Sequence, residues 1–171
     1  MHRTNPLREI DVDQLRAIWA GDLSQWRELS GGPGEIHPLA RAKGSGTEEV
    51  FAERVLKGQR AGSVAKELPT NEAIVAEVAA QPNAIGYTGL GALRNASDRV
   101  HVLAIRSQSS QVLPSANTVR SGSYPLTRAL LLVNPGAPSG LAASFIAYCT
   151  GSAGQALVKR AGYVEIAAGE P

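Results

Sequence analysis

The run Ile36-His-Pro-Leu-Ala-Arg41 passes through Lys43-Gly-Ser-Gly-Thr47 into a helical pattern, Glu48 to Leu56. A short strand that turns through glycines into a helix is a building unit of α/β folds. Pro38, near the start of the run, suits a strand end or edge better than a central position. Thr70 or Asn71 caps a second helical pattern reaching about Ala80, with Ile74, Val75 and Val78 on one face. A short strand, Ala84 to Tyr87, follows. Helices and short strands alternate along the rest of the chain as well, so the expected class is α/β.

The N-terminal part has its own signals. Asp11 fits an N-cap, and Gln14 stands three residues later as in a capping box. Leu15, Ile18 and Trp19 share one face of the predicted helix, which should stop before Gly21. One further turn is expected at Leu23 to Trp26, then a turn cluster from Ser30 to Gly34. Further on, Val100 to Ile105 reads as β-rich and Ser107 to Ser123 as a long loop. Leu126 to Val133 reads as a strong apolar strand. A long helix is expected from Ser139, with Leu141, Phe145, Ile146 and Cys149 turned inward. Thr150 to Gly154 interrupts it, Gln155 to Arg160 resumes it, and Gly162 is placed to end it.

Composition narrows the function classes. The chain has 171 residues, 43% hydrophobic and 19% charged, which is globular rather than disordered. Aromatics are 5%, so the core is expected to rest mostly on Ala, Val, Leu and Ile. A net charge of +2 without a Lys/Arg run argues against a nucleic-acid binder. The lone Cys149 reads as a buried structural thiol. His2, His37 and His101 lack metal-ligand spacing, so no metal site and no cofactor is expected. No window has the length and apolarity of a membrane span, and the N-terminus lacks the apolar stretch of an export signal. On that reading the chain is cytoplasmic if Met1 is the true start. Asn95-Ala-Ser97 fits the short glycosylation pattern, which matches often by chance.

The chemistry concentrates at Arg41-Ala-Lys-Gly-Ser-Gly-Thr47. Ser45 can cap the following helix, and Glu48 completes an S-x-x-E box. The backbone N–H groups of Gly46, Thr47 and Glu48 then fall in the first helical turn, without intrahelical acceptors and at the positive end of the dipole. A tetrahedral oxyanion fits such a terminus. Gly44 and Gly46 allow close backbone approach, while Ser45 and Thr47 add hydroxyls. Arg41 can present a two-pronged donor to anion oxygens. If Ser45 caps its own helix, its hydroxyl is partly committed. An S-x-x-E at a helix start is also commonly a cap and nothing more.

Other chemistry is harder to find. The loop is not a Walker A motif, because no Lys-Ser/Thr pair follows the glycines. Gly86-Tyr-Thr-Gly-Leu-Gly91 lacks dinucleotide-binding spacing and reads as a strand-to-loop turn. Ser45 has no identifiable base, and no Gly-x-Ser-x-Gly is present, so an enzyme is not expected. Trp19 and Trp26 read as packing residues.

At Arg41 to Thr47 the sequence resembles the phosphate-binding proteins of high-affinity phosphate ABC transporters. The likeness extends in order along nearly the whole chain. It includes Asn5-Pro-Leu7, Asp13-Gln-Leu-Arg-Ala-Ile-Trp-Ala-Gly21 with Trp26, and Pro82-Asn-Ala-Ile-Gly-Tyr87. It continues through Ser123-Tyr-Pro-Leu-Thr-Arg128, Phe145-Ile-Ala-Tyr148, Gly154-Gln155 and Gly162-Tyr-Val164. The resemblance implies a type II periplasmic-binding-protein-like fold, with one complete lobe and C-terminal elements of an incomplete second lobe. Residues 1–171 then form a single unit, with about 36–105 as the ligand-binding lobe core and about 123–171 belonging to the other lobe. It implies inorganic phosphate, or a similar oxyanion, as ligand, held by Arg41, Ser45, Gly46 and Thr47. It also implies a transporter permease as partner and a periplasmic or extracytoplasmic location.

Two departures from the family pattern stand out. Lys43 occupies a position where the family often has an acid, which makes the loop more electropositive. The chain also reads as starting after the first part of the first lobe, as a short or truncated form with weakened binding. The apolar strand at Leu126–Val133 and the helix after it are then expected to pack back on the remaining lobe or to pair with another copy. The alternative function is an interaction or regulatory protein that keeps the helix-terminal anion site without transport.

Overall fold

The computed structural model describes residues 1–59, 61–94, 96, 98–107 and 110–166, and of Ser107 only the backbone. Asn95 and Ser97 of the glycosylation pattern lie outside the described residues. Asp11 ends strand β1 (Glu9–Asp11) and caps helix α1 (Val12–Ala20). Its carboxylate accepts from the Gln14 amide at 2.8 Å, and the Gln14 side chain accepts from the Asp11 amide at 3.0 Å. This is the expected reciprocal box. Gly21, at φ 92°, ends the helix in the left-handed conformation that favours glycine. The further turn lies at Trp26–Leu29, slightly later than expected.

Strand β2 (His37–Arg41) leads into α2 (Gly46–Arg54), then β3 (Lys66–Leu68), α3 (Asn71–Ala80) and β4 (Ala84–Gly86). The three strands form a parallel sheet in the order β3-β2-β4. β2 is therefore the central strand rather than an edge, and Pro38 sits at its end, the other position expected of it. The ladder tolerates the proline for a geometric reason. His37 donates to Asn83 on the β4 side, and amides alternate sides along a strand, so position 38 faces β3. Pairing with β3 begins only at Leu39, so no ladder bond is lost.

A second sheet has the order β1-β5-β6, from β1, β5 (Ala104–Ser107) and β6 (Ser110–Val112). β1 and β5 are parallel, and β5 and β6 are antiparallel. The β-rich run at 100–105 becomes a strand only from Ala104, while Val100 makes an isolated bridge with His2. The expected loop at 107–123 instead holds β6 and a short helix, α4 (Ala116–Arg120), capped by Ser115.

β2 is buried on both faces, as a central parallel strand requires. Leu39 faces Ile74, Val75 and Val78 of α3. Ala40 belongs to the larger cluster on the other face, with Ile10, Ile18, Trp19, Trp26, Phe51 and Val55. The core is mostly Ala, Val, Leu and Ile, as expected, with Phe51 and the tryptophans set into it. Both tryptophans are fully buried, and the Trp26 indole N–H donates to the Asn83 carbonyl at 3.0 Å.

The C-terminal stretch departs most from expectation. Leu126–Val133 is not a strand, and Leu131 and Val133 are 78% and 90% exposed. An apolar strand needs a neighbour for its backbone hydrogen bonds, and no described strand lies beside it. Helix α5 (Gly140–Thr150) buries none of its residues. Leu141 is 90% exposed, Phe145 is exposed, and Ile146 and Cys149 are half-buried. Leu126 packs on the main hydrophobic cluster, but from Leu130 to Val133 and along α5 the apolar side chains do not pack back on the rest of the chain. Helix α6 (Ser152–Arg160) does dock. The Arg94 guanidinium donates to the Lys159 and Arg160 carbonyls at its C-terminus, where the dipole favours a cation. Gly162, at φ 92°, follows as the expected stop.

Candidate functional site

The chain between β2 and α2 turns within four residues. The Ala42 amide donates to Leu68 at 2.9 Å, holding the exit of β2 against β3, and the Ser45 amide donates back to Ala42 at 3.2 Å. Gly44, at φ 79°, supplies the positive φ the turn requires. The Ser45 hydroxyl accepts from the Glu48 amide at 3.1 Å, which makes it the N-cap. The expected box is only half formed, because the Ser45 amide is already used by Ala42.

This arrangement leaves specific donors unused. Among the described residues, the N–H groups of Gly46 and Thr47 have no acceptor. Ser45 accepts through oxygen, so its hydroxyl proton remains available. The cap and an anion contact are thus compatible on one side chain. Thr47 is half-buried beside it, and Lys43 is exposed.

Arg41 is not a surface residue. It is 9% exposed, and its guanidinium donates to the Asn71 side-chain oxygen and to the Pro69 carbonyl, the latter at 3.0 Å. Both acceptors are neutral, and no carboxylate pairs with Arg41 among the described residues. Its Nε–H is buried without a partner. A buried charge without a counter-charge is costly. Arg41, Lys43, Glu48, Glu67 and Tyr87 line a small cleft beside the loop.

The floor beneath the site is aromatic. The rings of Phe51 and Tyr87 stack at 3.9 Å with planes 4° apart, and Trp19 meets Phe51 edge-on at 4.8 Å. The Tyr87 hydroxyl accepts from the Arg41 backbone amide at 3.1 Å. Burial pushes the Tyr87 phenol above its usual value of 10.0, so it stays a neutral hydroxyl.

The four residues read from sequence as ligands, Arg41, Ser45, Gly46 and Thr47, lie at one turn. Asn71, Tyr87 and Arg128 were not identified as part of it. Arg128 lies against Gly46, where an added Cβ would overlap its guanidinium. Tyr87 and Arg128 stand within the segments that carry the family resemblance, but local spacing gives neither of them a role.

Comparison with known proteins places the chain. It is 30% identical over 142 residues to the phosphate-binding protein PstS of Bacillus subtilis, covering 83% of this chain and 45% of that protein. It is 28% identical to PstS of Pseudomonas aeruginosa, covering 98% and 57%. The chain thus spans about half the length of the curated relatives it matches. Its fold matches an ABC-type phosphate transport receptor from Vibrio cholerae at TM-score 0.82 and 20% identity, over 96% of this chain and 66% of that one. A family model described as a PBP superfamily domain matches residues 1–153, and the chain belongs to that superfamily.

Proposed function

We propose that this chain binds inorganic phosphate, or a similar tetrahedral oxyanion, as the solute-binding component of a phosphate ABC transporter. One observation carries the reading: among the described residues, buried Arg41 has no carboxylate partner, and the loop after it leads into a helix N-terminus whose first amides lack acceptors. An anion at that point supplies both. Arg41 contributes charge-assisted hydrogen bonds, Gly46 and Thr47 contribute amides, and Ser45 and Thr47 contribute hydroxyls. The names of the relatives support phosphate over other oxyanions.

The partner on this reading is a transporter permease, the location is periplasmic or extracytoplasmic, and the role is binding without catalysis. The relatives are named as binding proteins, and the Ser45 hydroxyl bonds to a backbone amide rather than to a base. These donors approach the anion from one side, so binding by the chain as given is expected to be weak. Titration calorimetry with phosphate, and with sulfate as control, tests the reading. Weak phosphate binding that Arg41→Ala abolishes supports it. Phosphate binding that survives Arg41→Ala would place the anion elsewhere and overturn it.

A further inference from the structure

Arg128 is the charged group beside α2 that the reading above leaves without a task. Its guanidinium rests against Gly46 in the first turn of the helix. The backbone that delivers it is anchored, because Tyr124 and Leu126 pack on the main hydrophobic cluster. It pairs with Glu49 at 3.7 Å, and both side chains are about half exposed or more. Arg128 makes no hydrogen bond among the described residues.

Electrostatics alone does not put an arginine there. The N-terminus of a helix is the positive end of its dipole and repels a cation. An exposed ion pair at that distance offsets little. The same turn carries the unpartnered amides of Gly46 and Thr47. Arg41, nine-tenths buried with its Nε–H unpartnered, lines the adjoining cleft. One turn thus carries a cation and two free amides, and a bound anion accepts from both.

We propose that Arg128 is a second guanidinium ligand of the oxyanion, reaching it from the Gly46 side of the α2 N-terminus. The inference rests on the phosphate-binding reading. It adds a donor from the C-terminal stretch, far in sequence from the loop, and so makes the site depend on how residues 123–128 are held. Two guanidinium groups favour a doubly charged oxyanion over a singly charged one, because each charge-assisted bond gains from the extra negative charge.

The test is an NMR titration of the full chain with sodium phosphate to millimolar concentration. It follows the Gly46, Thr47 and Glu48 amides and the Arg128 Nε–H, which report weak binding directly. The expected result is that all four move together along one binding curve. Arg128→Gln should weaken binding about tenfold, with part of the loss recovered by Arg128→Lys. If the amides move but the Arg128 Nε–H does not, and Arg128→Gln binds as the unmodified chain does, this inference fails while the phosphate reading stands. If the amides do not move at all, the phosphate reading fails and takes this inference with it. Amide spectra of the variants in the absence of phosphate identify any change of fold. A variant that misfolds is replaced by the Arg128 Nε–H readout in the unmodified chain.

Discussion

The guanidinium of Arg41, at the end of β2, donates to the side-chain oxygen of Asn71, the first residue of α3. That bond and the one to Pro69 fix the plane of a buried cation that has no carboxylate partner among the described residues. Asn71 is thus a positioning residue for the arginine. Asn71→Ala should leave α3 capped, since Thr70 accepts from the Ala73 amide at 3.0 Å. It should strand one guanidinium N–H, costing about 1–3 kcal/mol of stability. Phosphate binding should weaken, and Asn71→Gln should not restore it, because a longer side chain misplaces the acceptor. Urea denaturation and calorimetry read the two effects separately.

Tyr87→Phe isolates a second support. The stack on Phe51 survives the change, but the Arg41 amide loses its acceptor. A part-buried N–H left unpaired costs about 1–3 kcal/mol. Thermal denaturation should show that loss. An unchanged melting temperature would mean that water replaces the hydroxyl.

These supports also show what a sequence makes legible. The Asp11–Gln14 box and the Ser45 cap were readable because donor and acceptor lie three residues apart and the pattern is local. Arg41 with Asn71 and Arg41 with Tyr87 are 30 and 46 residues apart, and no local period encodes them. β3 was missed because Lys66-Glu-Leu68 is short and mostly polar, and its strand character comes from pairing with β2. Leu126–Val133 failed in the opposite direction. Its composition favours a strand, yet a strand forms only beside a partner.

Gly46→Ala should separate stability from binding. Alanine is the better helix residue, by at most roughly 0.5–1 kcal/mol at this first helical position, and Gly46 does not have positive φ. The new Cβ, however, meets the Arg128 guanidinium, which must move aside. The expected outcome is a variant as stable as the original or slightly more so, with weaker phosphate binding. Calorimetry and thermal denaturation on one preparation decide it. Unchanged binding would show that the position of Arg128 does not matter.

Acid should act through Asp11. Burial pushes its carboxyl up, but the Gln14 amide and Arg106 outweigh that and hold it below its usual 3.8. A carboxyl with a depressed folded value adds stability above its unfolded value and loses it as pH falls through the folded one. Stability should therefore decline as pH drops below 3.8, with Asp11 contributing part of the slope. Asp11→Asn keeps a cap but loses the pair with Arg106, at 3.0 Å, a solvent-screened contact. Urea midpoints against pH for the two proteins should converge on the acid side. Parallel curves would remove Asp11 from the account.

The exposed apolar stretch from Leu130 to Val133, with Leu141 and Phe145 of α5, predicts self-association of this chain. Four successive exposed apolar side chains are uncommon on a monomer and drive contact between copies. An extended segment with free backbone groups can also pair edge to edge with another copy. Sedimentation should show association that rises with concentration. Leu131→Lys with Val133→Lys should suppress it and leave the unfolding free energy within about 0.5 kcal/mol of the original, because both side chains already face water. A monomer at all concentrations would mean that the face is covered within each molecule, by a rearrangement of α5 over the 130–133 segment. The paired lysines would then destabilise the fold rather than leave it unchanged.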